Sequence, residues 1–331
     1  KQVSLLAAAI ALALPAAAAP LADWPRVSSA ISPDPALEKR VADIVGKMTL
    51  EQKIGQMTQS EIKTTTPDDV RRYYLGSVLN GGGSWPNGNK RANAAEWQAL
   101  AQKYHDASMA TDMAVKVPVV WGIDAIHGNS NVFGATLYPH NIGLGAAHNP
   151  KLAYEIGAAT GKAVRATGIA WVFGPTIAVV RDDRWGRTYE SFSEDGKLVA
   201  QYAGEYVKGL QGRFKADANV LASAKHFVGD GGTDQGKDRG NNKSSLADMI
   251  NIHGAGYAPA LAQGAQTVMA SFNSWNGVKV HGSREMLTDV LKTKMGFDGF
   301  VVSDWNGIAE VPGCRNDSCP QAIKAGIDMI M

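Results

Sequence analysis

An α/β fold, specifically a (β/α)8 TIM-like barrel, is what this sequence predicts, and three observations carry the prediction. Short apolar runs without polar alternation recur along the chain, as expected of strands buried on both faces of a parallel sheet. Longer amphipathic stretches separate them, which is the spacing of βα units. Eight runs qualify, and that number favours a barrel over an open doubly wound sheet. With 331 residues, 45% hydrophobic and 19% charged, the chain can bury a large core without help from disulfides or metals.

From the N-terminus, the first element is an address. Lys1 precedes an apolar run over 3–14, then Pro15 and a row of alanines, the pattern of a cleaved signal peptide over 1–19. The run is too short for an anchor, which needs ~20 apolar residues to cross a bilayer. Cleavage is expected near Ala18 or Ala19, giving a secreted or periplasmic protein without a membrane span. Residues 20–34 are Pro- and Ser-rich and read as an extended arm. The barrel domain is expected over 35–331, truncated at its end because the sequence stops inside the last strand.

Within the barrel, a helical pattern covers 35–48, and Thr49 with Gln52 has capping-box spacing for a second helix. Strands are expected over 76–79, 117–121, 169–173, 220–224, 267–271, 300–303 and 327–331, with 54–58 as a weaker first strand. Helices are expected over 92–111, 150–167, 196–211, 246–263 and 283–294. Cys314 and Cys319, in the polar loop VPGCRNDSCPQ, read as a local disulfide of an exported protein rather than two free thiols. With no His nearby they do not make a zinc site.

Composition removes several functions. Thirty-three Lys plus Arg stand against 31 Asp plus Glu, with no block of like charge. An electrostatic nucleic-acid binder and a polybasic membrane-surface protein are thereby excluded. GGGSW after Leu79 is not the glycine fingerprint of a dinucleotide fold, and no Walker motif exists. No motif requires a metal or an organic cofactor.

Barrel enzymes place their chemistry where strands end. After the strand over 117–121 come Asp124 and His127. After 169–173 comes RDDRWGRTYESFSED, with Arg181, Arg184, Arg187, Glu190 and Glu194. After 220–224 come Lys225 and His226, after 267–271 Phe272, Asn273 and Trp275, and after 300–303 Asp304 and Trp305. A lone Asp after a strand is commonly a helix N-cap, and a charged tract is commonly a solvated loop. Five consecutive exits with ionisable, amide or aromatic side chains are a different matter. For Asp304 the functional reading is preferred, because a carboxylate delivered by an apolar strand beside an indole costs desolvation.

Carboxylates with Arg, Lys, His and Trp suit a hydroxyl-rich substrate, and glycoside hydrolysis needs two carboxyl groups. A metal-dependent amidohydrolase barrel is the rival, but it wants a His-x-His pair at the first strand exit, where 54–60 contains no His. A non-catalytic carbohydrate-binding barrel would keep the Trp and the gripping residues but gives no reason for Asp304 at a strand end.

GIDAIHG, RDDRWGRTYESFSEDG, SAKHFVGDGG, SFNSWNGVKVHG and GFVVSDWNGI, in this order, resemble the N-terminal barrel domain of family 3 glycoside hydrolases. Within it they are most similar to the exo-β-glucosidase and glucan exohydrolase branch. The resemblance implies a retaining enzyme acting on terminal β-D-glucosyl residues of β-glucans or cello-oligosaccharides through a covalent glycosyl-enzyme, without a cofactor. It makes Asp304 the catalytic nucleophile and gives Asp124, Arg187, Lys225 and His226 the terminal sugar. Trp305 becomes the wall of the neighbouring subsite, and Glu190 braces Arg187. Many relatives carry Tyr where this chain has Phe272. The family's usual acid/base is a Glu on a C-terminal α/β domain of the same polypeptide, expected beyond residue 331, so the acid/base residue is unknown here. A branch of β-N-acetylglucosaminidases takes its acid/base from an Asp-Ser-His loop. The corresponding GDGGTDQGKDRGNN has Asp234 and Asp238 but no His, which disfavours that alternative.

Overall fold

The computed structural model of the protein describes residues 23–214 and 218–331; the expected signal peptide lies outside them. Seven strands form one sheet in sequential order: β1 (Gln59–Glu61), β2 (Ser77–Asn80), β3 (Val120–Ile123), β4 (Trp171–Val172), β5 (Leu221–Phe227), β6 (Thr267–Ala270) and β7 (Phe300–Val302). Every pairing is parallel. Residues 329 and 330 join the two edges, since Met329 bridges Val302 and Ile330 bridges Thr58, both in the parallel sense. Ser303 N donates to Met329 O at 2.9 Å, and Gln59 N to Ile330 O at 2.8 Å. The expected strand over 327–331 therefore closes the barrel, as single bridges rather than a full ladder.

Two cores explain why the strand sequences do not alternate. Leu79, Trp171, Phe173, Met269 and Val302 cluster together, with Val120, Leu221, Phe300, Met329 and Met331 packed on them, as the barrel interior. The neighbouring strand positions Val78, Ile123, Val172, Val268 and Val301 belong to a second core shared with the helices. Both faces are apolar, as a parallel sheet under helices requires. Inside, the Trp171 ring makes edge contacts with Phe173 (4.9 Å) and Phe300 (5.3 Å), and its Nε1 donates to Thr267 Oγ1 at 3.0 Å. Gly122 is required here, because a Cβ on it would lie 2.2 Å from the Phe173 ring.

Some elements depart from expectation. The weak strand over 54–58 is wrong in place: a helix, Leu50–Gln56, runs into it, opened by reciprocal Thr49 and Gln52 caps. The first strand is the polar Gln59–Glu61, which no apolar pattern marks. The strand expected over 117–121 starts later, at Val120; Pro118 has no N–H to give a ladder. The helix over 246–263 is broken, with Tyr257–Ala262 restarting after Gly254 and Gly256. Helices Pro67–Tyr73, Asn141–Ala146 and Pro320–Ala325 were not expected. Neither was a three-stranded sheet of Asn241–Asn242, Ser274–Trp275 and Val278–Lys279 beyond the barrel mouth.

The described part of the arm is extended, and it is fastened. Val27 N donates to Met295 O and Ala30 N to Ala262 O, while Trp24 is buried with its ring 6.3 Å from that of Phe227. Phe227 follows His226 directly, so the arm braces the strand that carries part of the site.

Candidate active site

Because the strands are parallel, the ends of β3, β4, β5 and β7 share one mouth of the barrel. Asp124, Arg187, Glu190, Lys225, His226, Asp304 and Trp305 converge there around a cavity of about 240 Å³. Leu79, Ile126, Phe173, Met269 and Met331 supply its apolar lining. The volume falls below the ~300–1,000 Å³ usual for drug-sized ligands. It suits one small ring.

Polar side chains hold one another in fixed geometry. Glu190 ends the short turn Thr188–Glu190, which brings its carboxylate back to the guanidinium three residues earlier. Arg187 Nε donates to Oε1 at 2.7 Å and Nη2 to Oε2 at 2.9 Å, a bidentate pair. Thr176 Oγ1 also donates to Oε2, at 3.1 Å. Burial alone would raise the Glu190 carboxyl, but the hydrogen bonds and charge of Arg187 outweigh it and hold it at about 2. For Arg187, burial works against the charge, yet Glu190 keeps the guanidinium above its ordinary value.

Arg187 Nη2 also lies 3.1 Å from His226 Nε2. A guanidinium only donates, so this ring nitrogen accepts and the imidazole proton sits on Nδ1. That proton is donated to Asp230 Oδ2 at 2.8 Å. Lys225 is almost fully buried, and its Nζ donates to Asp124 Oδ1 at 2.6 Å. Asp124 itself is half exposed at the cavity edge.

Asp304 is the least satisfied member. Its N–H donates to His281 Nε2 at 3.0 Å, and its Oδ1 accepts from Trp305 N at 2.7 Å. Its Oδ2 is buried without a hydrogen-bond partner, 3.7 Å from His226 Nε2. An orphaned buried acceptor costs about 1–3 kcal/mol, more when charged. Complete burial lowers the His281 imidazole to about 4, so Nε2 remains an acceptor for Asp304 N.

Asp230 and His281 escaped sequence reasoning. Asp230 stands four residues after His226, a spacing that could have marked it, and His281 lies inside the SFNSWNGVKVHG motif. Other strand-exit residues go elsewhere. The His127 ring packs on His140 at 4.3 Å, and His140 on Tyr189 at 4.7 Å. Asp234 pairs with Lys243 at 2.7 Å, and Asp238 accepts from Trp185 Nε1 at 3.2 Å; neither lines the cavity. Phe272 is buried between the His281 ring, 5.8 Å away, and the Arg239 guanidinium, 3.9 Å above its face. Cys314 and Cys319 are joined by a disulfide in the loop that follows the Asp304 strand.

A closed parallel barrel whose C-terminal mouth holds carboxylates, a buried Lys and a braced Arg around a ring-sized cavity is the architecture of a carbohydrate-hydrolase barrel domain. The sequence matches the Glycosyl hydrolase family 3 N terminal domain over residues 49–331, and the chain belongs to that family. It is 32% identical over 318 residues to a lysosomal beta glucosidase of Dictyostelium discoideum, covering 88% of this chain and 39% of that protein. It is 30% identical over 299 residues to a periplasmic beta-glucosidase of Salmonella typhimurium, covering 88% and 37%. An exo-1,3/1,4-beta-glucanase from a Pseudoalteromonas species superposes with a TM-score of 0.90 at 56% identity, over 93% of this chain and 39% of that one. The chain thus spans about two fifths of the length of these relatives.

Proposed function

We propose that this chain is the glucose-gripping, nucleophile-bearing domain of a retaining exo-β-glucosidase acting on β-glucans or cello-oligosaccharides. The observation that carries the reading is Asp304: a buried carboxylate at a strand exit, with one oxygen unpaired, beside His226 and Arg187 in a ring-sized cavity. Asp304 attacks the anomeric carbon, the bond to the leaving oxygen breaks, and water later releases the sugar from the glycosyl-enzyme. Asp124, Lys225, Arg187 and His226 bind hydroxyls of the terminal sugar, Glu190 holds Arg187 in place, and Trp305 walls the next unit. Names of the relatives above support glucose as that sugar.

The proton for the leaving oxygen comes from elsewhere. Besides Asp304, the carboxylates lining the cavity are Asp124 and Glu190, and each is already committed to a cation. We assign the acid/base to the C-terminal α/β domain of the same polypeptide. No helix among the described residues is long and apolar enough to cross a membrane. The leader pattern over 1–19 and the Cys314–Cys319 disulfide support a secreted or periplasmic location. The test is turnover of aryl β-glucoside, β-xyloside and β-N-acetylglucosaminide by the full-length natural protein and its Asp304→Asn variant. Glucoside turnover that disappears with Asp304 is expected. Preference for the N-acetylglucosaminide, or activity that survives Asp304→Asn, would overturn the reading.

A further inference from the structure

The Asp304 cavity is the first of three in a row. A second, of about 510 Å³, shares Asp124 and Trp305 with it and runs over the ends of β1 and β2, past Lys63 and Gly81, Gly82 and Gly83. A third, of about 430 Å³, shares Lys63, Gly83 and Ser84 with the second and reaches Trp85 and Tyr104. Each is larger than the first. We propose that together they form one groove for the leaving-group side of a β-glucan chain, extending recognition past the sugar next to the cleaved bond. This rests on the functional reading above and adds to it that the substrate is a chain of three or more units.

Three features point to a neutral, hydroxylated ligand. The GGGSW segment, which serves no dinucleotide, provides a floor of bare peptide groups: a Cβ on Gly82 or Gly83 would meet nothing within 4 Å. The floor is fixed, because the Glu61 carboxylate accepts from Gly81 N at 3.2 Å and from Lys63 N at 2.5 Å, tying the β1 and β2 exits together. Glu61 is thereby occupied, which leaves the exposed Lys63 ammonium as the groove's charged donor and Ser84 as a hydroxyl partner. Further along, Trp85 offers an aromatic surface, held by Lys90 5.2 Å from the ring centroid. Lys63 among the lining residues, Lys90 resting on the indole, and hydroxyl and peptide groups suit a sugar; an anion would need cations converging on one point.

The experiment compares kcat/KM for a β-linked glucose disaccharide, its tetrasaccharide and an aryl β-glucoside, using the full-length natural protein. The tetrasaccharide should exceed the disaccharide by about tenfold, the factor made by one added hydrogen bond to a charged group. Gly83→Tyr fills the groove from an open, unstrained backbone position and should bring that ratio close to one. Lys63→Ala, a mild surface change, should lower it several-fold and serves if Gly83→Tyr folds poorly. A natural protein indifferent to chain length, or variants that keep the ratio, would overturn the proposal. A fall in melting temperature in Gly83→Tyr with the ratio unchanged would also overturn it, by showing that polypeptide fills the groove. If the aryl glucoside is not hydrolysed at all, the functional reading fails on its own. Tetrasaccharide binding to Asp304→Asn by calorimetry, lost in the Gly83→Tyr double variant, then still decides the groove.

Discussion

Replacing Glu190 by Gln keeps the shape of the side chain and removes its charge, which isolates what the Arg187 pair contributes. The carboxylate is buried, and its pKa falls from 4.5 to about 2 on folding. That difference corresponds to about 3 kcal/mol of stability at neutral pH. Removing one partner of a buried pair typically costs about 3–5 kcal/mol, so the two routes agree. In a thermal melt at pH 7 the variant should unfold about 4–7 °C below the natural protein. The pH dependence is the sharper check. A carboxyl whose folded pKa is depressed contributes fully above its unfolded value, near 4.5, and loses that contribution as pH falls toward 2. The natural protein's advantage should therefore shrink below pH 4.5, by about 1 kcal/mol at pH 3.5. A gap that stays constant from about pH 7 to about pH 3.5, or no gap at all, would refute the ion-pair account.

Two further outcomes follow from the site. Lys225→Ala should raise KM and lower kcat together for a β-glucoside, a combined loss of about 1.5–3 kcal/mol in transition-state stabilisation, because its ammonium holds Asp124 and is proposed to hold a sugar hydroxyl as well; steady-state kinetics equal to the natural protein's would reject that role. His281→Phe should leave the Asp304 N–H without an acceptor, lowering kcat and costing about 1–3 kcal/mol in denaturant melts. His281→Asn, which offers a carbonyl acceptor, should restore part of the rate, and a silent His281→Phe would contradict its positioning of Asp304.

Much of this was legible in sequence because parallel strands write a simple signal. Apolar runs over 220–224, 267–271 and 300–303 sit close to β5, β6 and β7, and Lys225 and Asp304, which follow the first and the last of them, line the cavity at the barrel mouth. Asp124, Arg187, Lys225, His226 and Asp304 were brought together because sequential strands carry them to the same end of one sheet. What escaped has a physical cause. Gln59–Glu61 pairs through backbone alone and shows no apolar side-chain pattern. Asp230 and His281 act on other site residues rather than at a strand end, and such contacts depend on loop paths that periodicity does not encode. The groove over 81–83 was invisible for a similar reason: glycine signals permissive backbone but not what lies across from it.

In the proposed reaction Asp304 forms the covalent bond to sugar. Incubating the full-length natural protein with an activated 2-deoxy-2-fluoro β-glucoside, then digesting it and mapping peptides by mass spectrometry, tests it directly. One added fluoroglucosyl group is expected on the peptide containing Asp304, and it should be lost in Asp304→Asn. A label on any other carboxylate, or turnover of the activated sugar with Asp304 never labelled, would contradict it.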